Sequence, residues 1–338
     1  MNPATRALTP SGLVPPVRPL TGMYCGWGAV AATNSFETTH GVTIDLSHEF
    51  GDQTRWDWFA SEWGTNFDEW AGWVGQKTGR RFSYSCPLLT VNGDVNMGSP
   101  DGKTVAQKYV TLAAGGYNQH FTTLGQAFQS RPALRNAIVR LGWEFNGNSR
   151  AWGIPPNDAA TLANYKTGFN QAAAALKAAC PTLRIEWGPN CQLDWTGRSF
   201  DDMWPGGQHI DIIGIGAYDY YWPANSSDDE TRWAWLRDGE TGVNGLAHQV
   251  RMARRHRKHL GHTEWGLWDD TGAANPGGVG DHPWFITRIT RWHRIHGYAY
   301  QIYNNVVTGE GEHTLTAYPT SLARYKTAMN NTGIPPYA

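Results

Sequence analysis

Charged side chains are scarce in this 338-residue sequence. Asp, Glu, Lys and Arg make up 17% of it, and their signs balance to a formal net charge of −1. A near-neutral chain has no long-range field that would attract a polyanion, so we expect no nucleic-acid partner. The sequence also lacks any apolar run close to the roughly 20 residues that cross a bilayer, so we expect no membrane insertion.

Cysteine is scarce as well, with four residues at positions 25, 86, 180 and 191. No CxxC pair occurs, which argues against a structural zinc site. The HExxH, GxSxG and P-loop motifs are also absent, which argues against a zinc protease, a serine hydrolase of the α/β type and a nucleotide phosphohydrolase. We therefore expect neither a metal nor a cofactor. Cys25 and Cys86 fall at similar depths of two predicted strands, so the sequence leaves a disulfide between them open.

Aromatic residues, by contrast, are abundant, with 18 Trp and 14 Tyr. This number exceeds what core packing usually requires. Flat rings with a polar edge suit sugars, which present both CH faces and hydroxyl groups, and they also suit protein interfaces. The composition therefore leaves both a glycan partner and a protein partner open.

Short apolar runs alternate with longer amphipathic stretches from residue 21 onward. Seven runs are predicted strands, at 22–29, 81–89, 137–145, 184–190, 209–218, 258–266 and 298–305, and an eighth is predicted around 108–114. Six stretches have helical periodicity, at 66–79, 121–129, 162–179, 245–256, 284–297 and 321–331. This alternation is typical of βαβ units that build a parallel sheet.

Eight such strands would close a single (β/α)8 TIM barrel. A doubly wound sheet should carry a Gly-rich phosphate turn after its first strand, and the sequence there, WGAVAATNSF, has none. We therefore predict one barrel domain over 21–338, with long βα loops at 30–65 and 219–244. Residues 1–20 are predicted to form an extended arm. They contain no apolar segment of a signal peptide, so export would need a signal already removed or another route.

Two glutamates stand at matching strand ends. Glu144 follows the apolar run IVRLGW in the predicted fourth strand, and Glu264 occupies the same place in GHTEWG, in the predicted seventh. Reactive side chains of such barrels emerge where strands end, so we expect the two carboxylates to meet over the barrel mouth. A plainer alternative pairs Glu144 with Arg140 and leaves Glu264 in solvent. Facing carboxylates suit glycosidic bond cleavage, in which one donates a proton and the other attacks the anomeric carbon.

Four blocks in this order resemble the retaining (β/α)8 glycoside hydrolases of clan A, most closely glycoside hydrolase family 26. The blocks are VRLGWEFNG, WGPN, DIIGIGAY and TEWG, and the segment AAGGYNQHFTTLGQAF is similar to that family's approach to the fourth strand. The resemblance covers roughly residues 110–270. It implies that Glu144 is the acid/base and Glu264 the nucleophile of a two-carboxylate double displacement.

The same resemblance implies roles for neighbouring residues. Tyr218 would donate a hydrogen bond to Glu264, and Arg140 and Asn146 would organise the carboxylates. The family's mannanases carry His directly before the acid/base, where this chain has Trp143, and the family's usual eighth-strand Trp is not evident in YAYQIYNN. Both departures concern the subsite of the reacting sugar. Several tryptophans just past strand ends are candidates for stacking on sugar rings: Trp152, Trp195, Trp222, Trp265 and Trp268.

The sequence thus predicts a retaining, endo-acting glycoside hydrolase that is secreted or extracellular and monomeric. The substrate would be β-mannan or another β-glycan, or, given Trp143, an arabinan or galactan of a bacterial cell wall. A second class also remains open, a non-catalytic glycan-binding barrel such as an adhesin or a phage receptor-binding protein.

Overall fold

The computed structural model describes residues 18–57, 66–92, 101–192, 195–220, 228–239, 242–269, 277–309 and 311–330. Within these ranges one sheet is built from nine parallel segments: β1 (Leu20–Tyr24), β2 (Leu46–Phe50), β3 (Arg81–Cys86), β4 (Ile138–Leu141), β5 (Arg184–Trp187), β6 (Ile212–Ile213), β7 (Gly216–Tyr218), β8 (His259–Gly266) and β9 (Tyr300–Asn304). A short antiparallel hairpin follows, β10 (Val307–Thr308) and β11 (Gly311–Glu312).

The sheet closes on itself. Strands β1 to β6 pair in chain order, and β9 lies on the other side of β1. β6 and β7 form one interrupted strand, because β6 pairs with both β5 and β8 and β7 also pairs with β8. β8 then pairs with β9, so eight strand positions form the ring. The predicted (β/α)8 TIM barrel is confirmed.

Helices surround this barrel. The described residues include α1 (Val30–His40), α2 (Phe67–Gly75), α3 (Val105–Ala113), α4 (Asn118–Gln129), α5 (Ala159–Ala179), α6 (Phe200–Met203), α7 (Asp229–Asp238), α8 (Leu246–His256), α9 (Pro283–His296) and α10 (Pro319–Asn330). Local signals set their ends. The Asp158 side chain caps the first turn of α5 by accepting from the Thr161 N–H, and α9 starts with a proline and stops at a left-handed Gly297.

The side chains buried inside the barrel are apolar where the strands start and polar or charged further along. An apolar layer fills the end where the strands start: Leu46, Ile138, Ile212, Tyr300 and Ile302. Further along, the interior holds the buried side chains of His48, Arg140 and Glu186. A larger apolar cluster packs the strands against the helices and includes Trp70 and Trp73 of α2, as the helical spacing of these two residues predicts. Charged groups are thereby concentrated at the carboxyl ends of the strands.

Some elements differ from the predictions. The predicted loop 30–65 contains α1 and the second barrel strand, β2, and the predicted strand at 108–114 belongs to α3. A capping box at Thr104 and Gln107 starts this helix, and it outweighs the strand-like composition of KYVTLAA. Because one strand lies where none is predicted and one predicted strand is a helix, Glu144 still follows the fourth strand position of the ring and Glu264 still lies near the end of the seventh.

Other predictions concern loops and cysteines. The predicted loop 219–244 contains α7. Residues 1–17 of the predicted arm lie outside the described residues. All four cysteines are free thiols, so the disulfide that the sequence left open is not formed. Among the described helices, none has the length and hydropathy needed to cross a bilayer.

Candidate active site

Arg140 is the centre of the charged cluster at the barrel mouth. It extends from β4 and is fully buried. Its Nη1 donates to Glu264 Oε2 at 2.6 Å, and its Nε lies 3.7 Å from Glu186 Oε1. Burial alone would lower the pKa of Arg140, but the negative charges of Glu264, Glu186 and Glu144 outweigh burial and raise it. One permanent cation therefore faces three carboxyl groups.

Glu264 is held at both carboxylate oxygens. Oε2 accepts from Arg140, and Oε1 accepts from the Tyr218 hydroxyl at 2.7 Å. The Tyr218 hydroxyl in turn accepts from Asn304 Nδ2 at 2.6 Å. Burial and the charge of Glu264 raise the pKa of Tyr218 well above its usual value, so the hydroxyl remains a donor. Two donors, from β4 and β7, thus orient this carboxylate, and Asn304 of β9 fixes one of them.

Glu144 lies on a tight turn directly after β4. Gly142 has φ 58° and Glu144 itself has φ 52°, a left-handed conformation that disfavours a residue with a side chain by roughly 1–2 kcal/mol. The Glu144 N–H donates to the Gly188 carbonyl at 3.0 Å, which ties the turn to the end of β5. Such local strain is concentrated at functional sites, because only a supporting structure can maintain it.

The Glu144 carboxylate has different partners from those of Glu264. Oε1 accepts from Asn190 Nδ2 at 2.7 Å, and Oε2 accepts from Arg150 Nη2 at 2.7 Å and Nε at 3.3 Å. Burial would raise the pKa of Glu144, but the charges of Arg150 and Arg140 and these hydrogen bonds outweigh burial and lower it. Glu144 is therefore an anion in this arrangement.

Gly216 lies between the two glutamates. It pairs in register with Glu264 on β8, and a methyl group in its place would lie 3.2 Å from Arg140 Nη2 and 3.3 Å from Glu144 Oε1. The structure thus brings Glu144 and Glu264 to the same guanidinium. The plainer alternative pairs Arg140 with Glu144 and leaves Glu264 in solvent. In the structure Arg140 hydrogen-bonds Glu264, and the ion-pair partner of Glu144 is Arg150.

Asn146 holds Asn190, a hydrogen-bond partner of Glu144, in place. It is fully buried, its Nδ2 donates to the Asn190 carbonyl at 2.7 Å, and its Oδ1 accepts from the Asn190 N–H at 2.9 Å. This two-point contact fixes Asn190 against Glu144. Asn146 is thereby linked to Glu144 through Asn190.

The predicted stacking role is wrong for two tryptophans. Trp152 and Trp265 are fully buried, and their Nε1 groups donate to the Trp143 carbonyl and to Gln301 Oε1, both at 2.6 Å. Neither ring can present a face to a sugar. The Trp265 ring packs outward against α9 and α10, and the Trp152 ring packs on Trp143. Proximity to a strand end does not reveal these directions.

Trp143 and Trp268 are buried as well. Trp143 is 2% exposed and packs on Trp152, and Trp268 packs edge-on against Tyr218 with ring centroids 5.3 Å apart. Trp195 is 47% exposed. Trp27, which follows β1, is 62% exposed and is not among the predicted site residues. Trp222 lies outside the described residues.

Several buried polar atoms around the glutamates have no hydrogen-bond partner among the described residues: Arg140 Nη2, Trp143 Nε1, Trp268 Nε1 and Asn304 Oδ1. An unsatisfied buried donor or acceptor costs about 1–3 kcal/mol, so such groups seldom persist without a reason. Two of these atoms, Arg140 Nη2 and Asn304 Oδ1, belong to side chains that hold Glu264 or its partner Tyr218.

The sequence interpretation missed three residues of this cluster. Asn190 lies in the quoted block WGPN but was assigned no role. Glu186 is buried behind Arg140 and accepts from the hydroxyls of Thr263 and Tyr300. Burial raises the pKa of Glu186 against the opposing effects of Arg140 and these hydroxyls. Arg150 lies in a loop, where no periodicity marks a residue as part of a site.

Comparisons with known proteins reveal the fold but no sequence relative. No protein-family model matches the chain, and no curated protein sequence matches it significantly. A glycoside hydrolase family 26 β-mannanase from Bacteroides ovatus superposes with a TM-score of 0.64 at 13% identity, covering 94% of this chain and 90% of that one. An endo-β-1,4-mannanase double mutant from Cellulomonas fimi gives 0.62 at 14% identity, covering 93% and 71%. A Bacillus subtilis mannanase gives 0.58 at 13%, covering 90% and 84%. At these identities the likeness establishes a shared fold.

Proposed function

We propose that the chain is a glycoside hydrolase in which Glu264 is the nucleophile and Glu144 the acid/base. The observation that carries this proposal is the convergence of two carboxylates, from the ends of β4 and β8, on the single buried guanidinium of Arg140. The fold shared with several β-mannanases supports the same reaction class.

The contacts of the two glutamates fit two different roles. Glu264, held by Arg140 and Tyr218, would attack the anomeric carbon while the glycosidic oxygen leaves with a proton from Glu144. Water would then attack the glycosyl–enzyme ester, give its proton to Glu144 and release Glu264. Two inversions at one carbon leave the configuration retained.

We further propose an internal cut in a polysaccharide, by a secreted enzyme. The exposed Trp27 and Trp195 follow β1 and β5, which lie on opposite sides of an eight-position ring. Two exposed rings on opposite sides of the mouth favour a chain that passes across it over a short ligand held in a pocket. Because Trp143 replaces the histidine of the family's mannanases, β-mannan is one candidate substrate among other β-glycans and cell-wall arabinans or galactans.

One observation favours a second candidate, a barrel that binds glycan without cleaving it. Arg150 pairs with Glu144 and keeps it ionised, and an ionised carboxylate cannot donate a proton. In a pure binding protein, this ion pair would simply be structural.

Reducing-end release from a broad glycan panel separates the two candidates. We expect the wild type to cleave at least one polysaccharide, and the Glu264→Gln variant to lose cleavage but still be retained on that glycan in affinity electrophoresis. The exposed Glu69 of α2 offers a matched control, and Glu69→Gln should cleave like the wild type. Retention of a glycan without any release of reducing ends would favour the binding barrel.

A further inference from the structure

Arg150 is the most accessible charged group of the site. Its side chain is 26% exposed, whereas that of Glu144 is 7% exposed and that of Arg140 is fully buried. It lies six residues after Glu144, and its guanidinium carbon is 5.5 Å from the centre of the Trp143 ring. Arg150 is therefore the cation that an incoming substrate meets at the mouth.

Glu144 is the ion-pair partner that the structure gives to Arg150, and two N–H groups of Arg150 converge on Glu144 Oε2. This contact conflicts with the first step of the proposed reaction, because Glu144 must carry a proton before it can act as an acid. Proton uptake by Glu144 would leave a guanidinium that is three-quarters buried without its direct ion-pair partner, which is unfavourable although the charge of Glu264 still acts on it.

A neutral sugar hydroxyl cannot replace that counter-charge, whereas an anionic oxygen can. Guanidinium groups bind carboxylates and phosphates through two parallel hydrogen bonds, and they do so more strongly than they bind neutral acceptors. Arg140 cannot serve this purpose, because it is fully buried and already bonded to Glu264.

We propose that Arg150 binds an anionic group on the substrate, so that the natural substrate is an acidic glycan with a carboxylate or phosphate beside the bond that is cleaved. This inference rests on the proposed hydrolase function. Binding of the substrate anion moves the Arg150 guanidinium off Glu144. Glu144 is then free to take up a proton from solvent and to pass it to the leaving oxygen. The acid is thereby assembled only on a substrate of the right charge.

The test compares acidic polysaccharides with their neutralised forms. Uronic-acid polymers are paired with the same polymers after carboxyl reduction, and phosphate-bearing glycans with the same glycans after dephosphorylation. We expect the wild type to lose about 10²-fold in kcat/KM on the neutralised form of its substrate. In Arg150→Met the ratio of kcat/KM on the acidic form to kcat/KM on the neutralised form should fall to about one. Arg150→Lys keeps the charge but not the paired hydrogen bonds, so its ratio should lie between those of the wild type and Arg150→Met.

Each outcome decides a different claim. Equal cleavage of acidic and neutralised glycans by the wild type overturns the role of Arg150 and leaves the hydrolase proposal standing. An unchanged acid preference in both Arg150 variants also overturns that role, because the preference would then come from another group. If no acidic or neutral glycan is cleaved, the hydrolase proposal fails, and the role of Arg150 fails with it. Circular-dichroism melting of each variant identifies any that are misfolded, and Arg150→Lys then replaces Arg150→Met.

Discussion

At the scale of single residues, the two glutamates differ in the mobility of the groups that hold them. Glu264 is bonded to a fully buried arginine and to a tyrosine that Asn304 fixes. Glu144 is bonded to a buried amide and to the partly exposed Arg150. A fixed carboxylate suits a nucleophile, and a carboxylate with one releasable partner suits a group that must gain and lose a proton.

Removal of the Tyr218 hydroxyl should weaken the chemical step. In Tyr218→Phe we expect kcat to fall roughly 10- to 100-fold with little change in KM, because a hydrogen bond to a charged group is worth about 1.5–3 kcal/mol. Steady-state kinetics on the glycan that the panel identifies measures this effect. Tyr165→Phe is the control: it removes a hydroxyl that accepts from Trp187 in the core, so it should lower the melting temperature and leave kcat unchanged. Full kcat in Tyr218→Phe would argue against Glu264 as the nucleophile.

The placement of site residues was predictable where the chain itself marks position. Glu144, Glu264 and Tyr218 each end an apolar run, and the strand-end rule selects them. Arg150 has no such mark, since its role depends on how a loop folds back onto Glu144. The burial of Trp152 and Trp265 was not predictable either, because one residue of offset along a strand or turn decides whether a ring points into the barrel or outward.

At the scale of elements, β2 shows why one strand escaped prediction. Its sequence LSHEF contains His48 and Glu49, both buried. His48 is paired with the hydroxyls of Ser83 and Ser85, and Glu49 accepts from the Gly28 N–H at 2.7 Å and from Trp70 Nε1 at 3.3 Å. These partners lie 21 to 37 residues away in the chain, so no local pattern reveals that the polar side chains are buried.

Gly214 lies in the interruption between β6 and β7. A methyl group there would overlap the buried carboxylate of Glu186. We expect Gly214→Ala to reduce the free energy of unfolding by about 2–4 kcal/mol, since neither group has room to move. Gly72→Ala, within α2, meets no atom within 4 Å and should be neutral or stabilise the protein by up to about 1 kcal/mol. Urea unfolding measures both, and identical midpoints for wild type and Gly214→Ala would contradict the close approach of Gly214 to Glu186.

At the scale of the whole molecule, buried acids make stability depend on pH. Burial raises the pKa of Glu49 to about 7, against hydrogen bonds from Gly28, Phe50 and Trp70 that lower it. Between the ordinary value of 4.5 and about 7, the folded state binds this proton more tightly than the unfolded chain does. The contribution of Glu49 to the free energy of unfolding therefore falls as pH rises through that window.

Glu49→Gln should remove that dependence. We expect the loss of unfolding free energy between pH 5 and pH 8 to be smaller in the variant than in the wild type by about 2–3 kcal/mol. Urea unfolding at the two pH values measures the difference, with the exposed Glu69→Gln as a control that should follow the wild type. An equal loss in Glu49→Gln would mean that Glu49 does not take up a proton in this range.

The barrel as a whole was the most predictable feature, because alternation of strands and helices is repeated along the entire chain. One misplaced strand did not disturb it, since the remaining seven positions already require parallel neighbours and a closed ring. The substrate was the least predictable, because it is determined by a few side chains on loops, such as Arg150 and Trp143.

The most direct test of the central claim is covalent capture of the nucleophile. A 2-deoxy-2-fluoro glycoside of the sugar that the panel identifies is incubated with the protein, and the digested protein is mapped by mass spectrometry. The account predicts one added glycosyl unit on the peptide that contains Glu264, and no addition in Glu264→Gln. A glycosyl unit on any other residue, or full cleavage activity in Glu264→Gln, would contradict it.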